Sequence, residues 1–164
     1  MKELRNLYSQ ITYIVFLSTI VSIVFNQLRS NPLAYVKQKV EVISNLEYLQ
    51  TESSEPTITG IDIKIAKELF DKNVLFIDAR AEEFYNDGHI PNAICSDDFD
   101  SLVEQLEKKI EIDEQFVVYC SDSDCGSSED LSYEFQSIGF SNILLFKGGW
   151  QEWVDADYPQ VQNE

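Results

Sequence analysis

Residues 115–128, QFVVYCSDSDCGSS, carry the pattern on which the fold turns. A short apolar run, Phe116–Tyr119, ends at Cys120. Such a run, bounded by polar residues, reads as a strand buried on both faces. The polar stretch after it holds Ser121, Asp122, Ser123, Asp124 and a second cysteine, Cys125. Gly126, Ser127 and Ser128 follow, and the serine hydroxyls are suited to cap a helix that runs to Gly139. Strand, loop and helix in this order put Cys120 where open parallel sheets hold ligands, beyond the carboxyl end of a strand. The free N–H groups at the start of the next helix then face the loop and favour a thiolate or an anion. Three readings stand open: a nucleophilic cysteine, a redox pair, or a loop without chemistry in which Cys120 packs as a small hydrophobe.

The neighbouring segments alternate in the same way. VLFIDAR (74–80) reads as a second buried strand, AIC (93–95) as a brief one and NILLFKGG (142–149) as a further one. Between them, AEEFYNDGH (81–89) reads as a short helix ending at Gly88. DFDSLVEQLEKKI (98–110) places Phe99, Leu102, Val103, Leu106 and Ile110 on one helical face. WQEWVDA (150–156) reads as a terminal helix, with Trp150 and Trp153 at packing spacing. ITGIDIKIAKELF (58–70) has mostly helical spacing. Strands separated by helices imply an α/β domain, a parallel sheet covered on both faces.

The charge is uneven. Residues 1–40 carry five Lys/Arg and one Glu, and residues 41–164 carry seven Lys/Arg and 28 Asp/Glu, a balance of −21. Such a surface repels nucleic acid, which is bound through Lys/Arg on phosphates. Residues 6–28 contain no charge and are flanked by Arg5 and Arg29. As a helix they reach about 34 Å, enough to cross a hydrocarbon core of about 30 Å. A cleaved signal peptide is the rival reading, but no small-x-small pair follows before Arg29. The expected organisation is a membrane anchor at 1–29, a tether at 30–56 and a domain at 57–164. The tether is marked by Asn31-Pro32 and the polar TESSEP, with a short helix near 32–42. Lys2 and Arg5 stand against Arg29, Lys37 and Lys39, so the charge rule leaves orientation balanced. An uncleaved anchor favours the extracytoplasmic side for the domain.

Residues 57–164 resemble a rhodanese-like domain. The matching pieces are FIDAR (76–80), GHIPNA (88–93), VVYC (117–120), SIGF (137–140) and LLFKGGWQEW (144–153). The resemblance implies a doubly wound domain with a central parallel sheet, and a persulfide-carrying cysteine, Cys120, in the loop after VVYC. It gives His89 a structural role in the GHIP turn. Anchor, tether and Cys-x4-Cys loop together look similar to a membrane-tethered bacterial subgroup of that family.

The loop also departs from the family, which usually carries an arginine five residues after the cysteine, where Cys125 stands here. No Lys or Arg lies between Cys120 and Gly126. Asp122 and Asp124 repel a dianion such as thiosulfate, so a neutral or thiol-bound sulfur donor is expected instead. A phosphatase-like use of the loop fails for the same lack of a cation. Cys125 suggests a resolving thiol, able to close a disulfide if the Cα atoms approach within about 7 Å. Lys147 is the nearest expected cation. Asp78 and Arg80 bracket a strand end as an ion pair or backbone anchor, and Cys95 reads as core packing. A Cys-x4-Cys pair and one histidine do not make a usual zinc set, so neither metal nor cofactor is expected.

The expected function is membrane-anchored sulfur transfer or thiol–disulfide exchange through Cys120, with Cys125 assisting. The partners are a small or protein thiol and a membrane protein. The alternative is an inactive module that binds a partner at the membrane.

Overall fold

The computed structural model describes residues 2–28, 42–43 and 57–162. The chain forms two compact units, Met1–Lys39 and Val40–Glu164. Among its described residues the first forms helix α1 (Lys2–Gln27). Its segment Tyr8–Gln27 is long and apolar enough to cross a membrane. Large apolar side chains such as Tyr13, Phe16 and Phe25 are exposed along it, so no core among the described residues accounts for them.

The second unit is a five-stranded sheet in the order β1-β2-β5-β4-β3, with every pairing parallel. The strands are β1 (Val42–Ile43), β2 (Thr57–Ile61), β3 (Leu75–Asp78), β4 (Phe116–Tyr119) and β5 (Asn142–Phe146). The helices are α2 (Ile63–Asp71), α3 (Glu82–Asp87), α4 (Phe99–Glu107), α5 (Ser127–Ser137) and α6 (Gly149–Asp155). Apolar layers cover both faces. Val117 and Tyr119 of β4 pack with Ile65 and Leu69 of α2 and Trp153 of α6. Phe116 and Val118, on the opposite face, pack with Leu102 and Leu106 of α4 and Phe135 of α5. All four β4 residues are buried, which explains why the strand is continuously apolar rather than alternating.

Three expectations are corrected. Ile58–Ile61 belong to β2, not to a helix. The switch falls at Asp62, whose carboxylate accepts the N–H groups of Lys64 and Ile65 at 3.0 and 2.9 Å and so starts α2 one residue later. The isoleucines at 58, 61, 63 and 65 serve two periods at once, and spacing alone does not separate them. Ser127 and Ser128 are not caps: Gly126 holds the cap position, without a side-chain bond, and both serines lie inside α5. Val42 and Ile43, assigned to the tether and Val42 also to its short helix, form the edge strand β1. The remainder of that helix and tether lies outside the described residues. AIC contributes a single parallel bridge, Ile94 to Ile77.

The register aligns Asp78, Tyr119 and Phe146 across β3, β4 and β5. Ala79–Arg80, Cys120 and Lys147–Gly149 therefore emerge at the same edge.

Candidate active site

Cys120 is buried directly beyond β4, and Cys125 is half-buried. They form a disulfide with Cα atoms 6.2 Å apart. Asp122 shapes the closed loop: its carboxylate accepts the N–H of Asp124 at 2.9 Å and its carbonyl that of Cys125 at 3.3 Å. Asp122, Ser123 and Asp124 are exposed, as are Gly126 and Ser127, whereas Ser121 is half-buried and Ser128 buried. The Ser128 carbonyl accepts the Ser132 hydroxyl at 2.7 Å, an internal α5 contact. Lys147 is half-buried at the end of β5, with no hydrogen bond or ion pair among the described residues.

The loop is held by residues outside it. The N–H groups of Trp150 and Gln151, in the first turn of α6, donate to the carbonyls of Cys120 and Ser121, each at 2.8 Å. Free amides at a helix start need acceptors, and here the loop supplies them. The approach is close because Gly149 has φ +63° and no side chain: a Cβ there would lie 2.5 Å from the Cys120 oxygen. In sequence, Lys147 is the residue of FKGGW expected near the loop, and Trp150 reads as packing. The paired glycines at a strand end were the signal for this contact.

Beneath the loop lies a buried polar network. Arg80 donates to Asp78 through Nε (2.9 Å) and Nη2 (2.6 Å), and through Nη2 to the Gly88 carbonyl (2.7 Å). The Tyr119 hydroxyl donates to Asp78 Oδ2 at 2.7 Å and accepts the Ile90 N–H at 3.3 Å. Burial opposes the charge on Arg80, yet the Asp78 carboxylate outweighs it and holds the guanidinium pKa above its ordinary value. Burial first, then Asp78, raises the pKa of the Tyr119 phenol well above its usual range. The Arg80 guanidinium carbon lies 5.0 Å from the Trp150 ring centroid, so the network also supports the residue that holds Cys120. Tyr119→Phe leaves Asp78 and the Ile90 N–H each short of a partner. The expected cost is about 1–3 kcal/mol in urea unfolding, with the fold retained.

His89 stacks on Tyr85 with centroids 3.8 Å apart, and its Nδ1 donates to the Tyr85 carbonyl at 2.8 Å. Its backbone pairs both ways with Val161, so it clamps the segment around Val161. Cys95 is a free thiol whose Sγ lies 3.3 Å from the Arg80 carbonyl. Burial, then Asp78, Asp97 and Glu82, push its pKa up to about 12. At pH 8 its thiolate is then only about one part in ten thousand. In the reduced protein, iodoacetamide is expected to label Cys95 last, at a rate rising about tenfold per pH unit above 8. Mass spectrometry of timed alkylation checks this.

Chemically, the edge offers a disulfide at the carboxyl end of a parallel sheet, with a half-buried sulfur residue open to attack and a buried one to leave. The fold and this loop define a class: parallel α/β domains that present a cysteine after a central strand. The family model for the rhodanese-like domain matches residues 62–156, more than half of the chain, and the chain belongs to that family. An uncharacterized protein of Buchnera aphidicola subsp. Baizongia pistaciae (strain Bp) is 31% identical over 97 residues. That match covers 56% of this chain and 63% of the relative, so the chain spans under two thirds of the relative's length. Among solved structures, the Alr3790 protein from Anabaena sp. is similar with a TM-score of 0.52 and 23% identity, over 62% of this chain and 79% of that one. Thiosulfate sulfurtransferase from Pseudomonas aeruginosa is similar with a TM-score of 0.54 and 17% identity, over 64% of this chain and 20% of that one. At these identities the structural likeness is one of fold.

Proposed function

We propose that this protein is a membrane-anchored rhodanese-like sulfur carrier in which Cys120 and Cys125 cycle between dithiol and disulfide. The observation that carries the reading is the Cys120–Cys125 disulfide at the edge beyond β4, in the loop to which the rhodanese-like resemblance assigns a sulfur-carrying cysteine. In the dithiol form, the Cys120 thiolate attacks the outer sulfur of a persulfide, R–S–SH. The S–S bond of the donor breaks, RS⁻ leaves with the proton as RSH, and Cys120 holds the sulfur as a persulfide. The Cys125 thiolate then attacks the Cys120 sulfur. Hydrosulfide leaves and the disulfide closes. An external dithiol reduces the pair again, its thiolate attacking at Cys125, the more open position. The balance over one turn is one persulfide and one dithiol consumed, with one thiol, one hydrosulfide and one new disulfide formed.

Residues 120–126 contain two carboxylates and no cation, which favours a persulfide over thiosulfate as donor. Lys147 follows β5 at the same edge and is the cation best placed to offset them. Residues 1–29 serve as anchor, 30–56 as tether and 57–164 as the sulfur-carrying domain. A stable disulfide fits the oxidising, extracytoplasmic side. The partners are then a persulfide donor, a reducing dithiol and a membrane protein neighbour. The acidic loop also favours a second reading, a partner-binding module without turnover.

The test is mass spectrometry of trapped thiols in the full chain, reduced and then given a persulfide donor. An adduct of about 32 Da on Cys120 that converts to disulfide supports the cycle. Two thiols inert to the donor would overturn it in favour of the binding module.

A further inference from the structure

The ring closed by Cys120 and Cys125 is tied to α6 by two hydrogen bonds. The Trp150 and Gln151 N–H groups donate to the Cys120 and Ser121 carbonyls, each at 2.8 Å. The bonds made by Asp122, to Asp124 and Cys125, lie inside the ring and attach it to nothing else. The ring is therefore docked at its Cys120 end. The docking bonds use backbone carbonyls and no sulfur atom, so reduction of the disulfide does not itself remove them.

The Trp150 side chain fixes the start of α6 in place. It is half-buried and packs against the apolar layer that contains Tyr119 and Trp153. The Arg80 guanidinium carbon lies 5.0 Å from its ring centroid, and a Cβ on Gly88 would come within 3.1 Å of its Cζ2. Arg80 also donates to the Gly88 carbonyl at 2.7 Å and pairs with Asp78. One residue thus meets the buried polar network through its ring and the cysteine loop through its amide. A tryptophan that only filled space would add stability and leave the cysteine equilibrium unchanged.

We infer that Trp150 is a positioning residue for the cysteine pair: its locked ring holds the Cys120 peptide within reach of Cys125 and so sets the balance between dithiol and disulfide. The inference rests on the dithiol–disulfide cycle proposed above. Closure forms the Cys120–Cys125 bond, and two protons and two electrons pass to an external disulfide, which leaves as a dithiol. A loop already docked at Cys120 has less conformational freedom to lose on closure. Loosening Trp150 makes closure less favourable and the disulfide easier to reduce.

The test equilibrates the full chain with mixtures of reduced and oxidised dithiothreitol, quenches in acid and counts alkylated cysteines at 120 and 125 by mass spectrometry. Trp150→Ala is expected to lower the equilibrium constant for closure about tenfold, equivalent to about 30 mV. Trp150→Phe keeps an aromatic ring over Arg80 and is expected to recover most of that loss. Gly88→Ala crowds the ring without removing it, and is expected to shift the equilibrium the same way by a smaller factor; it carries the test if Trp150→Ala does not fold. Val103→Ala, in the apolar layer on the other face of the sheet, is expected to lower the urea midpoint and leave the equilibrium as in wild type. An equilibrium unchanged in Trp150→Ala and Gly88→Ala, or shifted equally by Val103→Ala, overturns the inference and leaves the cycle standing. A wild-type pair that closes no disulfide in any mixture overturns the cycle, and the inference with it.

Discussion

Cys120→Ser is expected to abolish the sulfur adduct completely when the reduced chain is given a persulfide. A serine hydroxyl is not ionised at neutral pH and is a far weaker nucleophile toward sulfur than a thiolate. Cys125→Ser is expected to give the opposite signature. Without a resolving thiol, the Cys120 persulfide has no internal route to hydrosulfide, so the adduct of about 32 Da accumulates. The same variant stops hydrosulfide release in a turnover assay. If Cys120→Ser still acquires the adduct, on Cys125, the roles of the two cysteines are exchanged. Both variants are sterically mild, and urea unfolding of each reports separately whether the fold is intact.

Gly149→Ala is expected to cost about 3–5 kcal/mol, from left-handed backbone strain together with overpacking. That is a large part of the roughly 5–15 kcal/mol by which domains are stable. At φ +63°, the added Cβ would lie 2.5 Å from the Cys120 oxygen and 2.9 Å from both the Asp122 nitrogen and the Ser121 carbonyl carbon. These are backbone atoms and cannot turn aside. The loop can keep its place only if α6 moves away, which breaks the bonds from Trp150 and Gln151. Gly148→Ala is the control. Its φ is −61°, so the backbone is unstrained, and the crowding there comes from Glu152, whose carboxylate can turn away while its Cβ, at 2.9 Å, must shift slightly. The expected cost is smaller, about 1–2 kcal/mol of overpacking. Urea midpoints of the two variants measure the difference. Equal midpoints would show that the Gly149 contact does not hold the loop.

The variants also mark how much was legible in advance. VLFID, FVVY and NILLF read as buried strands because a strand covered on both faces is apolar along its length, with Asp78 and Asn142 standing only at strand ends. The amphipathic stripe of α4 and the acidic charge were equally plain. ITGID was not, because isoleucines in β2 and α2 fit strand and helix periods together. Only the Asp62 cap marks the boundary. Ser127 and Ser128 suit a cap because hydroxyl residues favour that position, but Gly126 holds it and both serines fall inside α5.

By itself, the sequence determined the α/β class, the apolar N-terminal helix, the rhodanese-like resemblance and the loop that holds both cysteines. These depend on composition and local period, which a linear chain displays. Tertiary structure alone decided that Cys120 and Cys125 come within bonding reach and that α6 carries the loop carbonyls. It also decided that Tyr119 joins the Asp78–Arg80 pair, and that the Trp150 ring meets both Arg80 and Gly88. Each of those is a contact whose geometry depends on how separate segments pack, and no spacing along the chain encodes that distance.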